Sequence, residues 1–197
     1  MDEIKTSLID SNNWTEDKEA RAISYFLTER KMPMAINREL IGELKKVSEQ
    51  RGKHNARLCL HSNPEAVLHD MLILEYQDKT CRKPHKHPQK VEIMHMLEGE
   101  MMSFVFDDHG KLVERTLLGS ENFIYIMPKG VDHFYMPVTA SVLYREVKPG
   151  PFVRKEDIIY WGEGHIKSLK EYADFAKDIR CHNPGCKNQC PLGMRKR

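Results

Sequence analysis

Two histidines two residues apart, His85 and His87, stand shortly before a glutamate, Glu92, in the apolar run "VEIMHML". In an extended chain, side chains two apart share a face, so both imidazoles point the same way. Pro88-Gln89-Lys90 can turn the chain and bring Glu92 back on the neighbouring strand, where opposed Cβ atoms lie roughly 4.5–5.5 Å apart. Two imidazoles and a carboxylate at that separation can share a cation. A bare carboxylate among apolar side chains is costly, and a divalent ion removes the cost by pairing the charge. With Glu92 facing inward, Met94 and Met96 face inward too, while His95 points to the other side. A further ligand is expected from a strand near in space, and "MPKGVDHFYM" offers His133 just after a Pro-x-Gly turn.

Such a centre, with three imidazoles and one carboxylate, leaves coordination positions open on an ion that prefers five or six ligands. Zn, Fe, Mn and Ni all suit it. Substrate oxygens could then chelate, which points to isomerase, epimerase or lyase chemistry, with His61, Tyr125, Tyr135 and Glu146 as candidates for moving protons. Iron would keep an oxygenase reading open, and a non-catalytic sugar-binding or regulatory module fits the same ligands. Arg57, Cys59 and His61 share one face of a strand, and His69, Met71 and Ile73 share one face of the next. If those faces line the mouth of a barrel, Arg57 and His61 would read an anionic or hydroxylated ligand; otherwise they form surface ion pairs. Lys90 and Arg145 invite the same two readings as substrate-binding groups.

A second cluster lies in "CHNPGCKNQCPLGMRKR", where Cys181, His182, Cys186 and Cys190 have the composition of a Cys₃His zinc site. An iron–sulfur cluster, reduced thiols or an adventitious disulfide are the other readings. Five cysteines are an odd number, and with no secretory context expected they argue against a disulfide framework.

These residues need elements to position them. After Gly52 the chain runs through "ARLCLH", "VLHDMLILEY", "VEIMHML", "MMSFVF", "KLVERTLL", "NFIYIM" and "SVLYREV", separated by the turn signals "DDHG", "GSEN" and "PKG". Short strands at close spacing predict a β-sandwich or barrel over residues 53–152. Ahead of it, residues 1–52 read as a helical extension. Ala20, Ile23, Phe26 and Leu27 recur at helical spacing between Thr15 and Arg30, and a second helix begins at an Asn37 cap and carries Leu40, Ile41, Leu44 and Val47 to Gly52. Behind it, residues 153–197 hold an amphipathic helix over 168–180 and the cysteine tail.

The chain has 197 residues, and 31 Lys plus Arg nearly balance 29 Asp plus Glu, so no global field recruits nucleic acid or an anionic membrane. No run approaches the roughly 18 apolar residues of a spanning helix. A cytoplasmic protein is expected, with a small-molecule ligand and, because open jelly rolls expose edge strands, a homodimer.

The spacing His-x-His, four residues, Glu, six residues, Gly, through His85, His87, Glu92 and Gly99, resembles the first cupin motif, and Pro128, Gly130 and His133 resemble the core of the second. The resemblance implies a jelly-roll β-barrel in which His85, His87, Glu92 and His133 are the metal ligands. Over roughly residues 37–152 the chain is more closely similar to the WbuC-type cupin-fold metalloproteins, through "ARLCLH", "HDMLI", "VFDDHGK", "MPKGVDHFYMP" and "EVKPGPF" as well. That family implies a carbohydrate or sugar-nucleotide ligand in surface-polysaccharide metabolism.

Overall fold

The structure, a computed structural model, describes residues 13–17, 22–28, 33–79 and 84–160. Two sheets face each other in a jelly-roll-like sandwich, so the mainly β expectation holds. Among the described residues the larger sheet has seven strands in the spatial order β1 (Trp14–Asp17), β2 (Ile23–Leu27), β3 (Ala56–Cys59), β4 (Leu68–Tyr76), β11 (Ser141–Pro149), β6 (Glu92–Glu98) and β9 (Ile124–Met127). The smaller has five, in the order β12 (Ile159–Tyr160), β5 (His85–Lys86), β10 (Asp132–Pro137), β7 (Met101–Phe106) and β8 (Leu112–Leu118).

Among the described residues the first expected helix is absent. Here β1 and β2 pair as antiparallel strands, and β2 then joins β3 in parallel, so Trp14–Asp17 and Ile23–Leu27 extend the large sheet. The physical reason is visible in "ISYFL". Ile23 and Tyr25 pack on one side of the sheet, Ser24 is buried on the other, and the run therefore lacks the polar alternation of a half-exposed strand. Its β-branched and aromatic residues suit a strand covered on both faces.

The second expected helix is present as α1 (Arg38–Gln50), the crossover between the parallel strands β2 and β3. The Asn37 side chain accepts a hydrogen bond from the Leu40 amide at 2.9 Å, satisfying one of the orphan N–H groups of the first turn. Leu40 and Leu44 are fully buried against Trp14, Tyr25, Leu58, Leu72, Leu74 and Leu143 on the outer face of the large sheet. At the other end Gly52 takes φ +80°, a conformation that stops the helix and suits glycine.

The inner faces of the sheets meet in a second core of Cys59, Met71, Ile73, Met94, Met96, Met101, Leu118, Met127, Tyr135 and Tyr144. This packing sets the register: Glu92, Met94 and Met96 of β6 point in, and Ile93, His95 and Leu97 point out. On β11, Tyr144 packs in this inner core and Leu143 under α1, so Glu146 and Lys148 take the inner side and Arg145 the outer. Beyond β11 the exit turn leads to α2 (Arg154–Asp157) and then to β12, which pairs with β5 at the edge of the smaller sheet. Among the described residues no helix is long and apolar enough to cross a membrane. The expected helix over 168–180 and the Cys181, His182, Cys186 and Cys190 cluster lie outside the described residues.

Candidate metal centre

At one end of the barrel, His85, His87 and His133 bring one ring nitrogen each to within 4.8 Å of the others. His85 and His133 are direct partners across the antiparallel pair of β5 and β10. Their ring centroids lie 4.7 Å apart, and His87 stands 5.1 Å from His85 and 5.8 Å from His133. The Pro-Lys-Gly turn before β10 is tied to the same spot, since the Gly130 amide donates to the His87 carbonyl at 2.8 Å.

Glu92 arrives by a different route from the hairpin that the spacing suggested. β5 belongs to the smaller sheet and β6 to the larger, so the turn over 88–91 crosses between sheets, and Glu92 pairs with Met127 of β9. The carboxylate therefore meets the imidazoles across the barrel interior. Its Oε1 lies 2.9 Å from His87 Nε2 and its Oε2 lies 3.2 Å from His133 Nε2. His133 is fully buried, and His87 and Glu92 are each 3% exposed.

The far side of each of two rings is tied down. His133 Nδ1 donates to the Val131 carbonyl at 2.8 Å, and His87 Nδ1 donates to the Asp157 carbonyl at 2.5 Å. Both tautomers then leave Nε2 as a lone pair aimed inward, the arrangement that metal-bound histidines adopt. Glu92 Oε2 and His133 Nε2 are buried and make no hydrogen bond. Two converging acceptors without a proton between them are expensive in an apolar barrel, and a divalent cation between them removes that expense. The donor set of imidazoles and one carboxylate suits Zn, Fe, Mn or Ni.

The other candidates are distributed around this cluster. Glu146, on β11, is buried, and its Oε1 takes the Lys148 ammonium at 2.8 Å. Tyr135 lies one step further into the barrel on β10, its ring 5.1 Å from that of His133. Tyr125 is turned towards Glu114, to which its hydroxyl donates at 3.0 Å. His61 stacks on His69 with centroids 4.3 Å apart, and His69 in turn lies against Phe152 of the exit turn. Arg57 donates to Ser24 Oγ at 2.7 Å. Arg145 faces outward and is forked onto Asp70, on the side of the sheet away from the histidines. Lys90 binds the Asp157 carboxylate at 2.7 Å and the Pro151 carbonyl, holding the exit segment against the turn over 88–91.

Two residues escaped the reading of the sequence. Lys148 reaches Glu92 Oε1 at 3.4 Å, and its signal was its position two residues after Glu146 on the same strand face. Asp157 contributes a backbone carbonyl, which no side-chain motif reveals. A shallow surface depression lined by His95, Leu97, Gly99, Gly119 and Phe123 lies towards the other end of β6 from Glu92 and carries no comparable cluster.

Residues 36–118 match the family described as a domain of unknown function (DUF6016). The chain is 30% identical over 89 residues to germin-like protein subfamily 3 member 2 of Arabidopsis thaliana, covering 44% of this chain and 38% of that one. It is 40% identical over 53 residues to germin-like protein 11-1 of Oryza sativa subsp. japonica, covering 27% and 23%. The chain thus spans no more than 38% of the length of these curated relatives. Among solved structures, the Lactobacillus farciminis oxalate decarboxylase formate complex is similar with a TM-score of 0.40 and 16% identity, over 64% of this chain and 35% of that one. The germin-like matches, added to the two-sheet barrel and its histidine cluster, support placing this chain in the cupin superfamily.

Proposed function

We propose that this protein is a metal-dependent cupin enzyme acting on a carbohydrate or sugar-nucleotide derivative, with isomerase, epimerase or lyase chemistry. The observation that carries the metal reading is the convergence of three imidazole nitrogens and the Glu92 carboxylate, with the outer nitrogens of His87 and His133 tied to backbone carbonyls. The carbohydrate class rests on the WbuC-type motifs quoted above, and so does the link to surface-polysaccharide metabolism.

In this reading His85, His87, Glu92 and His133 hold one divalent ion. When bound, the ion supplies Lewis acidity to substrate oxygens. The chain's own residues do the rest. The apolar wall of Met71, Met94 and Met96 excludes water from the inner side of the site. Glu146, buried on β11, accepts or returns a proton at a carbon next to a carbonyl, a role for which a carboxylate held at a fixed position suffices. Tyr135, beneath His133, limits how deep a ligand can enter.

Solvent-deuterium exchange into candidate sugars tests the reading. Metal-replete protein should place deuterium at one carbon of its substrate class, and Glu146→Gln should lower that rate by about 10²-fold or more. Ligand-dependent melting shifts with no exchange and no turnover would instead mark a sugar-binding module.

A further inference from the structure

The charges at this end of the barrel do not balance around a metal alone. Glu92, Glu146 and Lys148 are all buried or nearly so, and the Lys148 side chain is 11% exposed. Two carboxylates and one ammonium leave one negative charge. A divalent ion among neutral imidazoles turns that into one positive charge, in surroundings built of methionines and aromatic rings. Uncompensated charge there is costly, and one monoanion removes it.

Lys148 is placed to receive that anion. An ammonium has three donors. Glu146 takes one at 2.8 Å, while the 3.4 Å contact to Glu92 Oε1 is at the weak limit for a hydrogen bond. Once Glu92 turns its lone pairs to an ion, its hold on Lys148 weakens further. The Phe152 ring lies 5.7 Å from the ammonium and packs on His69, giving the approach an aromatic wall. The backbone of Lys148 is fixed beside the site, because Lys148 pairs with His69 of β4 and its neighbour Val147 lies between Asp70 of β4 and Ile93 of β6.

We infer that Lys148 anchors an anion subsite beside the metal, and that the ligand presents a carboxylate with one oxygen to the ion and the other to the Lys148 ammonium. The inference rests on the metal reading above and narrows its substrate to acids. A single charge is what the site lacks, so a monocarboxylate fits better than a phosphate dianion. A compact ammonium suits a single oxygen, where a fork would suit two. The competing role for Lys148 is that of a structural counter-ion to Glu92 and Glu146. In that role its loss would weaken the fold or the metal site and leave nothing specific for anions.

The experiment uses the full chain loaded with cobalt(II), with one equivalent per chain confirmed by elemental analysis. Acetate, lactate, inorganic phosphate and glycerol are titrated while the visible cobalt spectrum is followed. Acetate and lactate should change the spectrum saturably and glycerol should not. Lys148→Met should keep its cobalt, at an affinity equal to or above wild type because a repelling cation is gone. Its acetate affinity should fall about tenfold or more, the size of one charge-assisted hydrogen bond, and Lys148→Arg should recover part of it. Equal acetate affinity in wild type and Lys148→Met would overturn the subsite, as would phosphate binding more tightly than either carboxylate. Loss of cobalt from a folded Lys148→Met would assign the structural role instead. Should that variant not fold, Lys148→Gln is read by the same criteria. Wild-type protein that takes up no cobalt would overturn the metal reading itself, an outcome distinct from all of these.

Discussion

His87 Nδ1 donates to the backbone carbonyl of Asp157, 70 residues further along the chain, at 2.5 Å. One imidazole of the metal cluster is therefore oriented by the segment that follows the barrel. That segment is itself fixed in three ways: the Asp157 carboxylate accepts from Lys90 and from the Val153 amide, the Phe152 amide donates to the Pro64 carbonyl, and β12 pairs with β5.

Loosening this clamp should weaken metal binding without touching a ligand. Lys90→Met removes the ion pair that holds Asp157 in place, and Asp157→Asn weakens it. Each should lower metal affinity by about tenfold, at the lower end of what outer-shell partners contribute, with the far-ultraviolet circular dichroism unchanged. Competition with a chromophoric chelator gives the number. Affinity equal to wild type in both variants would show that the carbonyl keeps its place unaided.

A second prediction concerns Gly150, at the start of the same segment. A Cβ there would lie 1.8 Å from the Ala66 carbonyl oxygen and 2.6 Å from His69 Cδ2, so backbone must move to admit it. Gly150→Ala should destabilise the fold by about 1–3 kcal/mol, in the range of overpacked sites, and should weaken metal binding as well because it displaces the segment that carries Asp157. Urea denaturation measures the first effect. An unchanged midpoint would mean that the exit turn yields freely.

The stacked pair His61 and His69 should make the fold sensitive to mild acid. Burial is the main cause that lowers both rings below the ordinary imidazole value; for His61 the His69 ring adds to it, and for His69 the Lys148 and Lys90 ammonium groups do. The unfolded chain therefore binds protons that the folded chain refuses. Stability is full above a pH of about 6.5 and is lost as the pH falls from there through the lowered folded values. For each ring the slope should be a fraction of the roughly 1.4 kcal/mol per pH unit of one fully linked proton, because it follows the difference in protons bound by the unfolded and folded chains. Melting temperatures from pH 7.5 to 5 should fall less steeply in His61→Phe than in wild type; parallel curves would remove the pair as the cause.

Most of the strands and the histidine cluster could be read from the chain because their signals are local. Alternation of Glu92, Met94 and Met96 against Ile93, His95 and Leu97 sets one face of β6, and Asn37 marks the start of α1 through its own side chain. What stayed hidden depends on distant contacts. Ile23–Leu27 looked helical because α1 covers one side of β2 and the barrel the other, which erases the alternation. The short link from His87 to Glu92 looked like a hairpin, since nothing within it tells that its two ends belong to different sheets. Lys148 shares the inner face with Glu146, but only the register of β11 against β4 and β6 brings it to Glu92.

Assembly gives a further check. β9 is an edge of the large sheet, and Ile93, Ile124 and Ile126 expose apolar side chains on its outer face beside it. Such an edge favours pairing with a second copy. Light scattering at micromolar concentration should give twice the chain mass, and a monomer mass would reject the homodimer.

Elemental analysis of purified protein, wild type beside His85→Ala and His133→Ala, tests the metal centre most directly. Wild type should carry about one divalent ion per chain, and each variant should lose it while keeping the circular dichroism of a folded barrel, because affinity collapses on loss of one strong ligand well before the sheets do. Full occupancy in both variants would contradict the centre built from His85, His87, Glu92 and His133.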